Sequence, residues 1–575
     1  MVDLGVYKRS LGFVIIMLLS VTSPLYAQQL AFPGAEGHGA FSEGGRNGEL
    51  LIVDNLDDNG PGSLRDAVNQ SGPRTIVFET SGIIDLDSTL VISDPYITIA
   101  GQTAPGEGIT IRGEQVAIQT HDVIIRFIRF RPGDYNERRP DGTDWNGMDA
   151  VDIGKENSDE VHDIILDHCS FSWATDELVG IWHTSRNITI QNSIFSEPLH
   201  HFPEHEQYPY SGQGLLIGAN STNISILRNL FAHNFDRHPY MNAAGHLDFR
   251  NNIIYNAGGR VARLQNQPGK LQTVNFVNNQ IISGPSSMYD REISIRRTSI
   301  TNQYHGKLFI RGNLSDKNRA AENDNWEMVF DEENYQVFPD SVRSNSEFNT
   351  VQTSTLPAED LFPALERSVG AYLPLRDAVD QRILSNTAQR NGGMISTTNR
   401  VLGWPNKEII TAPIDPDNNW QETYGIDLTI PKEVNADHNG SGFTNLEEFL
   451  NGTDPLKDES DKLITEAFPP SSATSQGGFG ILSSSSIENS FELHKNYPNP
   501  FNVYTNIKIS IHIRGDYRLE VFDSAGRRVS TILDDELHPG EYEMRWSAGR
   551  LSSGNYYMRL SGRGESETRA LTLIR

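Results

Sequence analysis

The sequence predicts an all-β chain, a parallel β-helix (a solenoid) followed by a small β-sandwich. Three observations predict it. Between residues 120 and 285 six strand-like runs recur: DVIIRFIRF, DIILDHCSF, NITIQNSIF, NISILRNLF, HLDFRNNII and TVNFVNNQII. They alternate apolar and polar residues, as half-buried strands do. Aligned on an apolar residue at or next to the end of each run, Phe130, Phe171, Phe195, Phe231, Ile254 and Ile281, they lie 41, 24, 36, 23 and 27 residues apart. A floor near 23 residues with one such run per step is the pattern of stacked coils, with the excess placed in loops. Hairpins of a sandwich repeat every ~8–12 residues. Residues 491–575 do show that shorter spacing, in TNIKISIHI, YRLEVFDSAGRRVSTIL, GEYEMRWSA, GNYYMRL and RALTLIR.

Taken in order, residues 1–27 read as a signal peptide. Lys8 and Arg9 precede a short apolar core, Leu11–Val21, and Ala27 offers a small residue for cleavage. That core is shorter than the ~20 residues a membrane span needs. No other stretch could span a bilayer, so an exported chain without a transmembrane segment is expected. Cys169 is the single cysteine, which rules out a disulfide framework and suits a small buried hydrophobe.

Residues 28–430 are assigned to the solenoid. Residues 28–115 carry β-like runs such as LLIVDNL, TIVFETSGIIDL, YITIAGQ and GITIRGE, broken by Gly and Pro turns, with one helical turn or two at Ser63–Asn69. Asn192, Asn251 and Asn278 hold equivalent positions in the repeat and are expected to stack as an amide ladder. Ala358–Ser385 contains helix-compatible segments expected to cross or cap the solenoid. Residues 431–465 hold a loop with EF-hand spacing and a short helix. Counted from Asp437, oxygen donors fall at positions 1 (Asp437), 3 (Asn439), 5 (Ser441), 9 (Asn445) and 12 (Glu448). Gly442 stands at position 6 and the Phe443 carbonyl at 7, which is the pattern of a calcium loop. Residues 466–490, rich in Ser, Pro and Gly, form a linker.

Against 48 Lys and Arg stand 75 Asp and Glu, a formal charge of −27. Nucleic-acid binders need a basic footprint, so that class is excluded. An acidic polymer could be bound only where a local field, such as that of a bound divalent cation, reverses the sign. The candidate centre is Arg237, beside Pro239 between two strand-like runs, where a side chain can be held over an open face. Arg126, Arg129, Arg131, Arg138 and Arg139 form a basic cluster that either lines a groove for sugar carboxylates or is a solvated face. His200, His201 and His205 lie in a long insertion, residues 196–213, read as a substrate loop.

Several phrases together resemble the secreted pectate lyases of polysaccharide lyase family 1. They are AFPGAEGHGAF, GGRNGELLIVDNLDDNGPGSLRDAV, ETSGIIDL, ITIAGQTAPGEGITIRG, LDHCSFSW and the Arg237 segment. The resemblance covers residues 30–285. It implies a right-handed β-helix, a calcium cofactor, and β-elimination on pectate-like uronans of plant or algal origin. Arg237 matches the catalytic arginine, in Arg237-His238-Pro239. Asp149 and Asp176 match two ligands of the catalytic calcium. The third ligand position is Gly180, and Glu177 is expected to supply that carboxylate. A substrate-binding lysine is replaced by Gln213 and a second arginine by Asn242; with Arg131 and Arg138 these are the expected substrate contacts. Residues 491–575, through NYPNPFN, LSSGNYYMRL and LTLIR, resemble the sorting domains of type IX secretion substrates. That implies the type IX machinery as a partner and a secreted or surface location. A monomer is expected. The competing readings are a β-helix polygalacturonase and a non-catalytic glycan-binding surface protein. The hydrolase would need a carboxylate pair, and Asp176-Glu177, adjacent on a strand, would point to opposite faces.

Overall fold

Residues that repeat at the coil spacing become neighbours in space. The computed structural model describes residues 28–134, 147–200, 212–457 and 491–573, apart from short stretches within the last two spans. In it Phe130 pairs with Phe171, Phe171 with Phe195, Phe195 with Phe231, Phe231 with Ile254, and Ile254 with Ile281, always in parallel register. The phenylalanine rings stack along the solenoid with centroids 5.4, 4.9 and 4.5 Å apart. Among the described residues the strands form three parallel sheets of ten, nine and nine strands, so a coil gives one strand to each face. Their inward side chains make one apolar core running from Val53 to Val342. No coil can bury its own apolar residues; each does so against its neighbours, at about 1.5–3 kcal/mol for a large side chain. The helical turn expected near residue 63 is Leu64–Val68, capped by the Ser63 hydroxyl, which accepts from the Asp66 amide at 3.2 Å.

The asparagine ladder exists, displaced by one residue from its expected place. Asn192, Asn251 and Asn278 have φ of 52°, 55° and 50°. They make the left-handed step between the first and second faces, a conformation asparagine tolerates better than most residues. The next residue points inward. The Asn252 Oδ1 accepts from the Asn229 amide at 2.9 Å, Asn279 does so for Asn252 at 2.9 Å, and Asn313 for Asn279 at 2.8 Å. The side-chain amides of the same residues link up at 2.8–3.2 Å. A period fixes the column only to within a residue; the left-handed turn decides which asparagine faces the core.

The helix-compatible stretch crosses the second face. Leu361, Leu365, Ile383 and Leu384 pack on Ile194, Leu230, Ile253 and Tyr255. The longer helix, Ala378–Gln389, is capped by Asp377. Here Arg131 departs from its expected role. It is wholly buried, with Asp377 at 2.5 Å and Asp380 at 2.7 Å. Arg129, equally buried, donates to the carbonyls of Glu107, Ala371 and Leu375 at 2.6–2.7 Å. Both clamp the crossing segment and neither can reach a polymer in solvent. Arg138, Arg139, His201, His205, the signal peptide and the linker lie outside the described residues.

The chain divides into two compact units, residues 1–469 and 470–575. In the second, antiparallel sheets of three and four strands enclose a core that includes Ile507, Leu519, Met558 and Leu571.

Candidate active site

One face of the solenoid carries the site. Its central strands are Val151–Ile153, Glu177–Ile181, Gln213–Ile217, Tyr240–Met241 and Ala262–Leu264. Val151, Val179 and Leu215 pair inward. The alternate column, Asp152, Gly180, Leu216, Tyr240 and Arg263, therefore faces out. At the leading edge of the same strands lie Asp149, Asp176 and Glu177, then Gln213, which pairs with Glu177 on one side and bridges to Asp236 on the other. Arg237 follows directly.

Three carboxylates converge there. Asp149, Asp176 and Glu177 each offer an oxygen within 4.8 Å of the others. The Glu177 amide donates to the Asp149 carboxylate at 3.1 Å. Burial, then the charges of Asp176 and Asp152, push the Asp149 carboxyl well above the usual carboxylate range, against the pull of Arg237. Like charges so crowded call for a counter-charge. At Gly180, where the resemblance puts the third ligand, the neighbouring Asp149 carboxylate takes the space a side chain would start from. A Cβ on residue 180 would lie 2.4 Å from Asp149 Oδ2, so that space is already filled by the Asp149 carboxylate. Glu177 closes the cluster from the neighbouring position. The side-chain oxygen of Gln213, next to Glu177 in register, is buried without a hydrogen-bond partner among the described residues. All-oxygen donors, an excess of negative charge and an unanswered carbonyl fit a hard divalent cation.

Arg237 has φ of 66° and a side chain 22% exposed, in an ion pair with Glu177. Its amide donates to Asp236 at 2.8 Å and its carbonyl accepts from Leu215 at 2.7 Å. The next residue, His238, is fully buried, with its ring nitrogens at the carbonyls of Val261 and Asn234. The loop is thus pinned on both sides of the arginine. Burial lowers the Arg237 pKa; the nearby Arg263 adds to this, while Asp176, Tyr240 and Asp149 oppose it.

Of the expected substrate contacts, Gln213 lies on the leading edge, and Asn242 follows Met241, its Oδ1 taking a bond from Gln267 at 2.7 Å. His200 stacks on Phe235 with centroids 4.3 Å apart. Sequence reasoning passed over Tyr240, Arg263, Asp152 and Trp182. The guanidinium groups of Arg237 and Arg263 lie 5.6 and 5.1 Å from the Tyr240 ring centre. Arg263 is held by Glu332 at 3.0 Å. The signal that finds them is strand parity, one residue off the inward Val151, Val179 and Leu215, usable once the coil register is known.

The Asp437–Glu448 loop is closed on itself. Asp437 accepts from the amides of Gly440, Ser441 and Gly442 at 2.8–3.1 Å. Asn439 and Ser441 both donate to Glu448 at 2.9 Å. Phe443 is buried, and the helix Asn445–Asn451 begins with a capping box between Thr444 and Glu447. Among the described residues a second group with metal-ligand chemistry, His121, Asp122 and His162, lies by a different sheet, its imidazoles stacked 4.7 Å apart.

The family model described as "Right handed beta helix region" matches residues 144–289, and that described as "Secretion system C-terminal sorting domain" matches residues 495–573. A protein of Aspergillus flavus named "Probable pectate lyase C" is 32% identical over 76% of this chain and 97% of its own length. Its namesake in Aspergillus terreus is 31% identical over 77% and 99%. Arabidopsis thaliana "Probable pectate lyase 16" is 34% identical over 28% of this chain and 42% of its own. Among solved structures, a Paenibacillus pectate lyase is 14% identical at a TM-score of 0.37, covering 62% of this chain and 99% of that one. The major cedar-pollen allergen is 16% identical at a TM-score of 0.34, covering 58% and 92%. Both structural likenesses are too faint to carry an inference.

Proposed function

The chain belongs to the pectate lyases, and on that premise we propose that it cleaves pectate-like uronans by β-elimination, with Arg237 as base and calcium held by Asp149, Asp176 and Glu177. We further propose that the Asp437–Glu448 loop holds a second, structural calcium, through Asp437, Asn439, Ser441, Glu448 and the Phe443 carbonyl. The sorting domain marks the enzyme as secreted or held at the cell surface.

The observation that carries the reading is the placement of Arg237 against three converging carboxylates on one edge of an open sheet. Elimination removes the proton at C5 of a uronate and expels the glycosidic oxygen at C4, leaving a C4–C5 double bond. Negative charge grows on the carboxylate oxygens beside C5. A hard cation held by Asp149, Asp176 and Glu177 would supply positive charge to those oxygens. The chain's own part is to present a base at C5. A free guanidinium has a pKa of about 12.5–13.8 and is a poor base. Burial, with Arg263 nearby, works toward the neutral form. Glu177 works against it while it pairs with Arg237. A Glu177 carboxylate committed instead to a cation no longer holds the arginine protonated. The pinned loop keeps the guanidinium aimed during these changes.

The carboxylates also argue against hydrolysis. Glycosidase pairs stand about 5–5.5 or 6.5–9.5 Å apart, to admit a sugar or a water between them. Here three carboxylates, rather than a facing pair, turn one oxygen each toward a shared point, within 4.8 Å of one another, which suits a cation better than an intervening sugar or water. The test is the ultraviolet absorbance of the unsaturated product on polygalacturonate. It should appear with calcium and vanish with a chelator. New reducing ends without that absorbance would establish a hydrolase, and binding without either product a non-catalytic protein.

A further inference from the structure

Trp182 directly follows the strand Glu177–Ile181, on the groove face, and is half-buried. Its backbone is fixed, the amide donating to Ile153 at 2.8 Å. Its indole lies where two glycines leave room. A Cβ on Gly218 would sit 2.5 Å from Cε3 and 3.0 Å from both Cδ2 and Cζ3. Such near-equal distances place Gly218 beneath the face of the ring, since an approach at the edge would leave the two flanking atoms farther away. A Cβ on Gly180 would sit 3.0 Å from Nε1 and 3.2 Å from Cδ1. The indole therefore lies flat across two neighbouring coils, one face on the sheet. The would-be Cβ of Gly180 is also only 2.4 Å from Asp149 Oδ2, so the platform borders the carboxylate cluster.

We propose that Trp182 is the floor of a sugar subsite that stacks the apolar face of a pyranose beside the cation cluster, and that this uncharged contact lets the groove accept methyl-esterified uronate units there. The proposal rests on the lyase reading above. Stacking on an aromatic face needs no charge on the sugar. The polar side chains around the platform agree. Asp152 pairs in register with Gly180 and is an acid, which gives a sugar carboxylate no favourable partner. Gln213, at the leading edge of the neighbouring strand, and Asn242, in the row of Trp182 and Gly218, would offer hydrogen bonds, and an ester carbonyl accepts these as a carboxylate does. Neutralising a carboxyl at this subsite therefore costs the complex little.

The experiment uses the full chain with calcium, on fully de-esterified polygalacturonate and on the same polymer about half esterified. Losing one aromatic contact of this kind should raise KM about three- to ten-fold. For Trp182→Ala that rise is expected on the half-esterified polymer, with a smaller rise on the de-esterified one and kcat nearly unchanged on both. Gly218→Ala, which keeps the tryptophan but lifts its ring off the sheet, should shift KM in the same direction. Trp182→Phe should fall between. An unchanged KM in natively folded Trp182→Ala, or equal rises on both polymers, overturns the proposal. The lyase reading fails separately: if wild type forms no unsaturated product, indole emission on adding a saturated uronan oligomer still reports the subsite. An emission change in wild type that is absent from Trp182→Phe supports it, and no difference between the two overturns it.

Discussion

Arg237 is held by its backbone rather than by the reach of its side chain. With φ at 66° and the buried His238 following, its position is set before any ligand arrives. Arg237→Lys should abolish turnover and leave the circular dichroism unchanged, because lysine keeps a charge but loses the planar fork. Full activity in that variant would remove Arg237 from the mechanism. Asp149→Ala and Asp176→Ala should each raise the calcium needed for half-maximal rate by well over ten-fold, since each removes a hard oxygen donor. The pH dependence follows in sign. The Asp149 carboxyl titrates above the usual range. As pH falls through its pKa, protons displace the cation, so the calcium requirement should rise on the acid side. The neutral form of Arg237 grows with pH, so the rate at saturating calcium should climb toward the alkaline side. Arg131 gives the contrast. Arg131→Gln leaves Asp380 buried without its cation and Asp377 with only Arg129, 3.4 Å away, and should cost about 3–5 kcal/mol of stability, read by denaturant titration, with KM unmoved.

At the scale of an element, the turn between two faces is one left-handed residue and one inward asparagine. Asn252 answers the amides of Asn229 and bonds onward to Asn279. Asn252→Ala leaves these buried donors unanswered and should cost about 1–3 kcal/mol per lost group. Asn192→Gly, at the left-handed step, should cost less, because glycine takes that conformation freely and the two side-chain bonds it loses, to Asp167 and from Arg228, are only part-buried. Equal costs at the two positions would mean that the inward column is not the one holding the turns together. In the Asp437–Glu448 loop, Glu448 collects Asn439, Ser441 and Thr453 on one carboxylate. Glu448→Gln should lower the melting temperature in calcium but not in chelator, and leave the calcium dependence of turnover unchanged. A melting temperature indifferent to both changes would leave only a turn.

For the whole molecule, the solenoid unit and the sandwich each have a core of their own. The proposed catalytic constellation, Arg237 with Asp149, Asp176 and Glu177, lies wholly in the first. A chain ending at residue 465, made without the native export route, should keep the full turnover per molecule. Removing residues 491–575 in the native host should leave the protein in the periplasm, measured by cell fractionation. Loss of turnover in a folded truncated enzyme, or normal export of the deletion, would show that the sandwich is more than a sorting module.

The coil repeat, the phenylalanine column, the short helix, the calcium-loop spacing and the Arg237 segment were all legible in the sequence. Period and local spacing are properties of the chain itself, and the alignment on Phe130, Phe171 and Phe195 needed no coordinates to find the paired residues. What tertiary structure decided lay between coils. Only the left-handed turns choose Asn252 over Asn251 for the interior. Only the descent of a distant helix turns Arg131 from a groove candidate into a buried clamp, through carboxylates 246 and 249 positions away. Only the packing of neighbouring strands shows that the Asp149 carboxylate already fills the space at Gly180, or that an indole lies flat over Gly218. Sequence periodicity specifies which faces meet. It does not specify which side chains, brought together from different coils and segments, share one volume, because that depends on the full set of atoms competing for it.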